Sequence, residues 1–294
     1  MPALMENARA KVNLTLRVVG RRVDGYHELE SVVAFADCAD RLTLTPGSEL
    51  KLETTGPQAP LCGANADNLV FKAAQLLGER VPDLRLGNFA LDKVLPVAAG
   101  IGGGSADAAA ALRLLAQVNA FSLDDARLIE VARLTGADVP VCLASRACIM
   151  TGVGETLLPL SVPKMPCVLV NPRVPVATRE VFDALGLRHG ELLVGASDVF
   201  GATAWPEVGA SIEDWVEVLA ASSNDLEEPA MRIQPVIAQV IAALNASNGA
   251  WLARMSGSGA TCFAIYENTA EARRAADKIQ LDHPDWWVHA GVLS

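Results

Sequence analysis

The chain has 294 residues, 51% of them hydrophobic and 20% charged, with a formal net charge of −10. That is the composition of a globular protein of about two domains, not of a disordered or fibrous one. The acidic balance and the lack of any Lys/Arg-rich run exclude a surface built to grip nucleic acid or anionic membrane, and no apolar run is long enough for a transmembrane helix.

Glu6, Arg9, Lys11 and Arg17 interrupt any signal-peptide core, so the chain is expected in the cytoplasm. The 6 cysteines and 4 histidines are scattered, without zinc-ligand spacing, and the thiols are expected to be free.

In chain order, residues 8–18 alternate. Ala8, Ala10, Val12, Leu14, Leu16 and Val18 point one way, and Arg9, Lys11, Asn13, Thr15 and Arg17 the other. Period two predicts a strand with one face in a core, and sets Lys11 beside Asn13 on the polar face. A turn-rich stretch at 20–27 leads to short strands at 31–36, 41–45 and 50–54, then to an Asn/Asp/Gly/Pro-rich loop over 56–67. Leu69, Ala73, Leu76 and Leu77 predict a helix over 68–79 with Asp67 as N-cap. Residues 89–95 read as a strand ending at Pro96. Helices are expected over 106–118 and 123–134, and Val139-Pro140 is expected to break helical continuity.

A Pro-rich seam over 159–175 places a boundary near its start, giving domains 1–160 and 161–294. The second half predicts helices over 179–185, 212–220, 229–244 and 270–279, and strands over 251–255, 262–266 and 287–292. Strand, loop, strand, helix and strand at the end of the chain suggest an α+β fold with helices on one face.

The strongest local signal is the loop Pro96, Val97, Ala98, Ala99, Gly100, Ile101, Gly102, Gly103, Gly104, Ser105, with Ala106 opening the next helix. Glycines let backbone approach a ligand closely, and the helix aims unpaired N–H groups and a positive dipole end at the loop, which suits a phosphate. A Walker loop is excluded because no lysine follows the glycines. A dinucleotide fingerprint fails at Ser105. On spacing alone, a phosphate site and a purely structural tight turn both fit. The second cluster, Ser256-Gly257-Ser258-Gly259, reads by itself as a β-turn; beside a phosphate it would add backbone donors.

Three segments together resemble the GHMP family of small-molecule kinases. They are Ala10-Lys11-Val12-Asn13-Leu14, the loop from Leu95 to Ser105, and Met255-Ser256-Gly257-Ser258-Gly259-Ala260, in matching order and separation. Gly25-Tyr26-His27, Asp67-Asn68-Leu69, Gly136-Ala137-Asp138-Val139-Pro140, Gly152-Val153-Gly154-Glu155 and Ser223-Asn224-Asp225-Leu226 extend the resemblance over essentially the whole chain. They resemble the branch that acts on a cytidine diphosphate-linked polyol. The resemblance implies a two-domain α+β fold of mixed sheets and helices, with the active site in the cleft between the domains. It implies transfer of the γ-phosphate of ATP to a tertiary hydroxyl of that polyol, with Mg²⁺ bridging the nucleotide phosphates and few protein ligands to the metal. It implies no nucleic-acid or membrane partner, and a monomer or homodimer. Two other readings stay open: the same chemistry on homoserine, mevalonate or a sugar, and a non-catalytic nucleotide-binding sensor. One departure falls at Val97-Ala98-Ala99, where the family often carries more glycine. Alanine is poorly suited to positive φ, so the early loop geometry is expected to differ slightly.

By the same resemblance Asp138 is the general base that takes the hydroxyl proton. From the residues alone, a helix-capping Asp before Val139-Pro140 fits as well. Lys11 would hold Asp138 ionised, orient the hydroxyl or offset charge on the moving phosphoryl group; otherwise it is a solvated strand lysine. Asn13 would hydrogen-bond the substrate. Tyr26 and His27 would read the cytidine. Thr178 and Phe182, at i and i+4 of one helix face, would oppose them, with Phe182 sandwiching the base against Tyr26. Asn68, Leu69 and Lys93 would lie near the adenine.

Overall fold

The computed structural model describes residues 2–193 and 204–294. In chain order its elements begin with strands β1 (Leu4–Asn13), β2 (Arg17–Arg21), β3 (His27–Gly47) and β4 (Lys51–Thr55), then helix α1 (Leu69–Arg80) and strand β5 (Leu86–Asp92). Helices α2 (Gly103–Val118), α3 (Ala126–Thr135) and α4 (Val139–Ala144) precede strands β6 (Cys148–Gly152), β7 (Thr156–Pro159) and β8 (Met165–Asn171). Helices α5 (Thr178–Asp183), α6 (Ile212–Ala220), α7 (Glu227–Ile233) and α8 (Val236–Asn245) lead to strands β9 (Ala250–Met255) and β10 (Cys262–Tyr266). Helix α9 (Thr269–Asp282) and strand β11 (Trp287–Leu293) close the chain.

The chain groups into two compact units interleaved along the sequence. Among the described residues, the first holds 2–11, Cys38–Val97 and Gly102–Ser145; the second holds Val12–Asp37, Ala98–Ile101, 146–193 and 204–294. This grouping differs from one cut at 160/161, because β1 and β3 each supply residues to both units and four loop residues belong with the second.

In the first unit, β3 pairs antiparallel with β5 from Arg41↔Asp92 to Gly47↔Leu86, and β4 lies parallel to β5 from Lys51↔Asn88. Leu42, Leu44, Leu52, Phe89 and Leu91 alternate inward and are buried, as period two requires. Helix α2 packs against α1, α3 and α4. Its run of alanines combines high helix propensity with side chains small enough for three neighbours. Helix α1 is capped by Asn68, whose side chain accepts from the Val70 amide at 2.9 Å, and not by Asp67, which ends a short 3₁₀ turn.

In the second unit, β2 and β6 pair with the first half of β3, and β7 pairs with β6. Strand β8 lies between β11 and β10, antiparallel to both, and β9 pairs with β10. Helices α8 and α9 cover this sheet through Ile237, Val240, Leu244, Ala272, Ala275 and Ile279, packed on Val168, Val170, Cys262 and Ala264. The single helix expected over 229–244 is two helices. Pro235 disfavours helical backbone at Gln234, whose φ is −130°, and α8 starts afresh at Val236. The strands expected at 31–36 and 41–45 are one strand of 21 residues: Asp37 and Arg41 of the polar interval are exposed, while Asp40 is buried and accepts the Val94 and Leu95 amides.

Candidate active site

The alternation predicted around Lys11 and Asn13 is present, but its polar side is not a solvated face. Lys11 is 3% exposed and Asn13 is fully buried. In the first unit, Lys11 Nζ lies 3.0 Å from Asp138 Oδ1. A lysine buried to that degree needs a partner, and the carboxylate supplies it.

Asp138 stands at the N-cap position of α4, whose Pro140 lies in the first turn. Val139-Pro140 therefore opens a helix rather than ending one. The Asp138 side chain makes no capping hydrogen bond. The residue has the position of a helix cap, yet its carboxylate is turned to Lys11 and remains about one third exposed (36%). A carboxylate held by a buried cation and still open to solvent can accept a proton from an incoming hydroxyl.

The glycine loop delivers its backbone to the same pair. Gly102 is the N-cap of α2 with φ 62°, and a Cβ there would lie 3.4 Å from both Cβ and Cε of Lys11. Gly102 has no side chain to cap the helix, and the first intrahelical amide bond is that of Ala106 to Gly102. The amides of Gly103, Gly104 and Ser105 thus face outward at the positive end of α2, an arrangement suited to a phosphate. Pro96 and Ala106 are buried anchors, Val97 is half-buried, and Leu69 Cδ1 lies 3.7 Å from where a Cβ of Gly104 would sit.

Two residues expected at the adenine have other partners. Asn68 caps α1 with its side chain. Lys93 is buried, its ammonium 2.6 Å from Asp40 Oδ2 and 2.5 Å from Asp107 Oδ2. Burial works to lower the Lys93 pKa, but the two carboxylates outweigh it and hold the group above its ordinary value. Its cation is held at the foot of the loop by these two acids.

The second unit holds the remaining loop residues, Ala98–Ile101. Ala99 O accepts from the Thr261 amide at 3.1 Å, and Ile101 is buried. Gly100, with φ 74°, has no room for a Cβ, which would lie 2.6 Å from the carbonyl oxygens of both Ser256 and Gly259. The second Gly/Ser cluster is therefore more than an isolated β-turn: it is backbone packed on backbone of the first. Ser256 Oγ accepts from the Asn13 amide at 3.1 Å and donates to Gly100 O at 3.2 Å. Ala98 stands at φ 52°, so the departure from glycine falls on a left-handed position, at a cost of about 1–2 kcal/mol for a residue with a Cβ. Asn13 Nδ2 donates to Ser31 Oγ at 2.7 Å, while Oδ1 is buried without a partner, 3.3 Å from where a Cβ of Gly257 would sit.

At the start of β3, His27 stacks on Phe182 of α5, with ring centroids 4.6 Å apart and planes at 27°. His27 therefore covers one face of Phe182, while Tyr26, in the preceding turn, is 61% exposed. Thr178 and Phe182 do share one helix, as spaced, and Thr178 Oγ1 lies 2.9 Å from Ser258 Oγ. Burial lowers the His27 pKa, the Arg21 cation lowers it further, and Asp183 partly opposes them. The imidazole is therefore neutral at pH 7, and its Nε2 is enclosed without a hydrogen-bond partner. A neutral ring with one free nitrogen beside an aromatic face is suited to a planar base with donors and acceptors on its edge.

Ser256, Ser31, Asp40 and Asp107 were missed as support for these residues. Only the Ser256 motif carries a sequence signal, through its glycines; the others belong to no motif. Asn224, in the Ser223–Leu226 segment, braces the second cluster: its Nδ2 donates to Met255 O and Gly257 O, both at 2.8 Å.

The GHMP kinases N terminal domain family matches residues 68–146, and the GHMP kinases C terminal family matches residues 209–284. The 4-diphosphocytidyl-2-C-methyl-D-erythritol kinase of Bradyrhizobium diazoefficiens is 76% identical over 294 residues, covering 100% of this chain and 99% of the relative. Among solved structures, a 4-(cytidine 5'-diphospho)-2C-methyl-D-erythritol kinase is similar, with 34% identity, a TM-score of 0.76 and 99% of each chain covered. A homoserine kinase from Cytophaga hutchinsonii, at 17% identity and a TM-score of 0.72 over 100% of this chain and 95% of that one, is alike in fold.

Proposed function

The chain belongs to the GHMP kinase family, and from that premise we propose that it transfers the γ-phosphoryl group of ATP to the tertiary 2-hydroxyl of 4-diphosphocytidyl-2-C-methyl-D-erythritol, a step of non-mevalonate isoprenoid precursor synthesis. The observation that carries the chemistry is the Lys11–Asp138 pair at 3.0 Å, set against Gly102 of the glycine loop. As a kinase of this family it uses ATP. The outward amides of Gly103, Gly104 and Ser105 receive the phosphates, and the Pro96–Ala106 backbone shapes their seat.

A tertiary hydroxyl is a weak nucleophile. Asp138 accepts its proton as the bond to phosphorus forms, and the proton rests on the carboxylate while ADP leaves. Lys11 keeps that carboxylate in place and offsets negative charge on the transferring group. Both act through positions set before substrate arrives, since one is held by burial and the other by the start of α4.

Mg²⁺ belongs to this reading as an ion carried by the nucleotide. Such an ion takes most of its ligands from phosphate and water. The hydroxyl of Ser105, in the first turn of α2, is the oxygen donor that would complete its shell. When bound, it neutralises charge on the β- and γ-phosphates.

His27 and Phe182 favour the cytidine-linked alcohol over homoserine, mevalonate or a sugar, none of which has a flat base to place against them. Six free cysteines suit reaction in the cytoplasm, as a monomer or homodimer. The test is phosphoryl transfer from Mg²⁺-ATP to the cytidine-linked alcohol, with mevalonate and homoserine as parallel acceptors. Product is expected only with the first. Product with another acceptor would overturn the His27–Phe182 assignment, and none with any would return the chain to a nucleotide-binding role.

The His27 reading also predicts a pH dependence. The folded-state pKa lies below 6.5, so the imidazole stays neutral from pH 8 down to about 6.5 and takes a proton only below that. KM for the cytidine-linked alcohol is expected to be flat over the upper range and to rise as pH falls further. In His27→Gln the low-pH rise should vanish. A rise that persists in that variant would remove His27 from the substrate contacts.

A further inference from the structure

The buried charges at the foot of the glycine loop play no part in the mechanism above, and they do not balance. Asp40 is well supplied: its Oδ1 accepts the amides of Val94 at 2.6 Å and Leu95 at 2.8 Å, and its Oδ2 accepts Lys93 Nζ. Asp107, in α2, has Lys93 Nζ on Oδ2 alone, and its Oδ1 is buried with no partner. Two carboxylates share one ammonium, so the cluster carries a net −1 when every member is ionised.

The cluster also lies close to the phosphate seat. Lys93 Nζ is 3.3 Å from where a Cβ of Gly103 would sit. Asp107 follows Gly103 by four residues of α2, about 6 Å along the helix axis.

We propose that Asp40, Lys93 and Asp107 are positioning residues of the ATP-binding loop, and that Asp107, when ionised, opposes the nucleotide phosphates held at the N-terminus of α2. The proposal rests on the kinase reading of that loop. The Asp40 side ties the chain entering the loop, at 93–95, to β3. The Lys93–Asp107 contact ties the same point to the helix that leaves it, so both ends of the loop share one anchor. The incomplete partner set of Asp107 is what allows its charge to vary.

Burial raises the Asp107 pKa to about 7, Lys93 works against that rise, and Asp40 adds to it. Asp40 and Lys93 are the charged groups facing it. The thiols of Cys62 and Cys142 also feel its charge, and burial raises both of them, so they stay neutral. Below about pH 7 the Asp107 carboxyl holds a proton and the cluster is neutral. Above it the full −1 stands near the phosphates, so ATP affinity falls as pH rises through that range. Native stability follows the same sign, greatest below the unfolded carboxylate pKa and lost as pH rises through 7.

The experiment is calorimetric titration of the full chain and of Asp107→Asn with ATP, from pH 6 to 8.5, without acceptor alcohol. Comparing the two chains cancels the titration of ATP itself. At pH 8 Asp107→Asn is expected to bind roughly fivefold more tightly than wild type, the effect of one like charge at partial screening; at pH 6 the two should agree. Weaker or equal binding at pH 8, or a ratio that does not change with pH, overturns the proposal. Should Asp107→Asn fail to fold, Asp107→Ser is titrated beside wild type in its place: tighter binding at pH 8 that closes toward wild type at pH 6 supports the proposal, and a ratio that does not change with pH overturns it. A wild-type chain that binds no ATP would instead overturn the loop's assignment, and this proposal with it.

Discussion

Asp138→Asn is expected to lower kcat by about 10²–10⁴-fold, the usual worth of a positioned general base. The amide keeps the volume of the carboxylate and can still face Lys11, but it cannot take the hydroxyl proton at neutral pH. Folding should survive. The Asp138 side chain makes no capping bond to α4 and is about one third exposed, so no helix end depends on it, but the amide leaves the buried Lys11 ammonium with a neutral partner and should lower the melting temperature. The check is a single-turnover measurement of phosphoryl transfer beside a thermal melt. A folded chain with a lowered melting temperature and a collapsed transfer rate supports the base assignment; a turnover rate near wild type would remove Asp138 from the chemistry.

Lys11→Met is expected to cost on the order of 10²–10³-fold in kcat, by analogy with the loss of one electrostatic partner of a developing charge. Methionine has a similar length and an apolar stem, so packing against Gly102 is largely kept while the charge is gone. Lys11→Arg should recover little. The Lys11 ammonium is buried, so a bulkier planar guanidinium must be accommodated there, and the two cations present their donors differently. If the pair acts as a unit, the double variant with Asp138→Asn should be scarcely slower than the slower single. Additive losses would mean that each residue acts on a separate step. Steady-state kinetics on the four proteins decides between these outcomes.

Much of the architecture was legible in the residues because the signals for it are local. The alternation around Lys11, the helical spacing after Asn68, the alanine run after the glycine loop and the strand pair around Ser256 each depend on neighbours within a turn or two. The boundaries of α6 and β10 coincide with the apolar runs that predicted them. Where the reading went astray, one residue was enough. Pro235 divided a continuous amphipathic pattern, and Asn68 took the cap from the Asp67 beside it.

The suitability of the glycine loop for a phosphate was equally local, since it follows from backbone freedom and a helix dipole, although a structural tight turn fitted the same spacing. The roles of Lys11, Asp138, Tyr26 and His27 were not. They came from the resemblance, because a lysine in a strand and an aspartate before Val-Pro have ordinary uses that spacing cannot exclude.

The sequence by itself determined the elements, the phosphate-suited loop and the absence of any apolar run fit to cross a membrane, all of which depend on composition and short-range periodicity. Only the tertiary structure decided that the Asp138 carboxylate faces Lys11 instead of capping a helix, that Lys93 lies between two buried acids, and that His27 rests on Phe182. Each of these joins residues far apart in the chain. What fixes them is burial: a charge or polar ring taken out of water must find its partner wherever the fold brings one, and no local pattern records where that is.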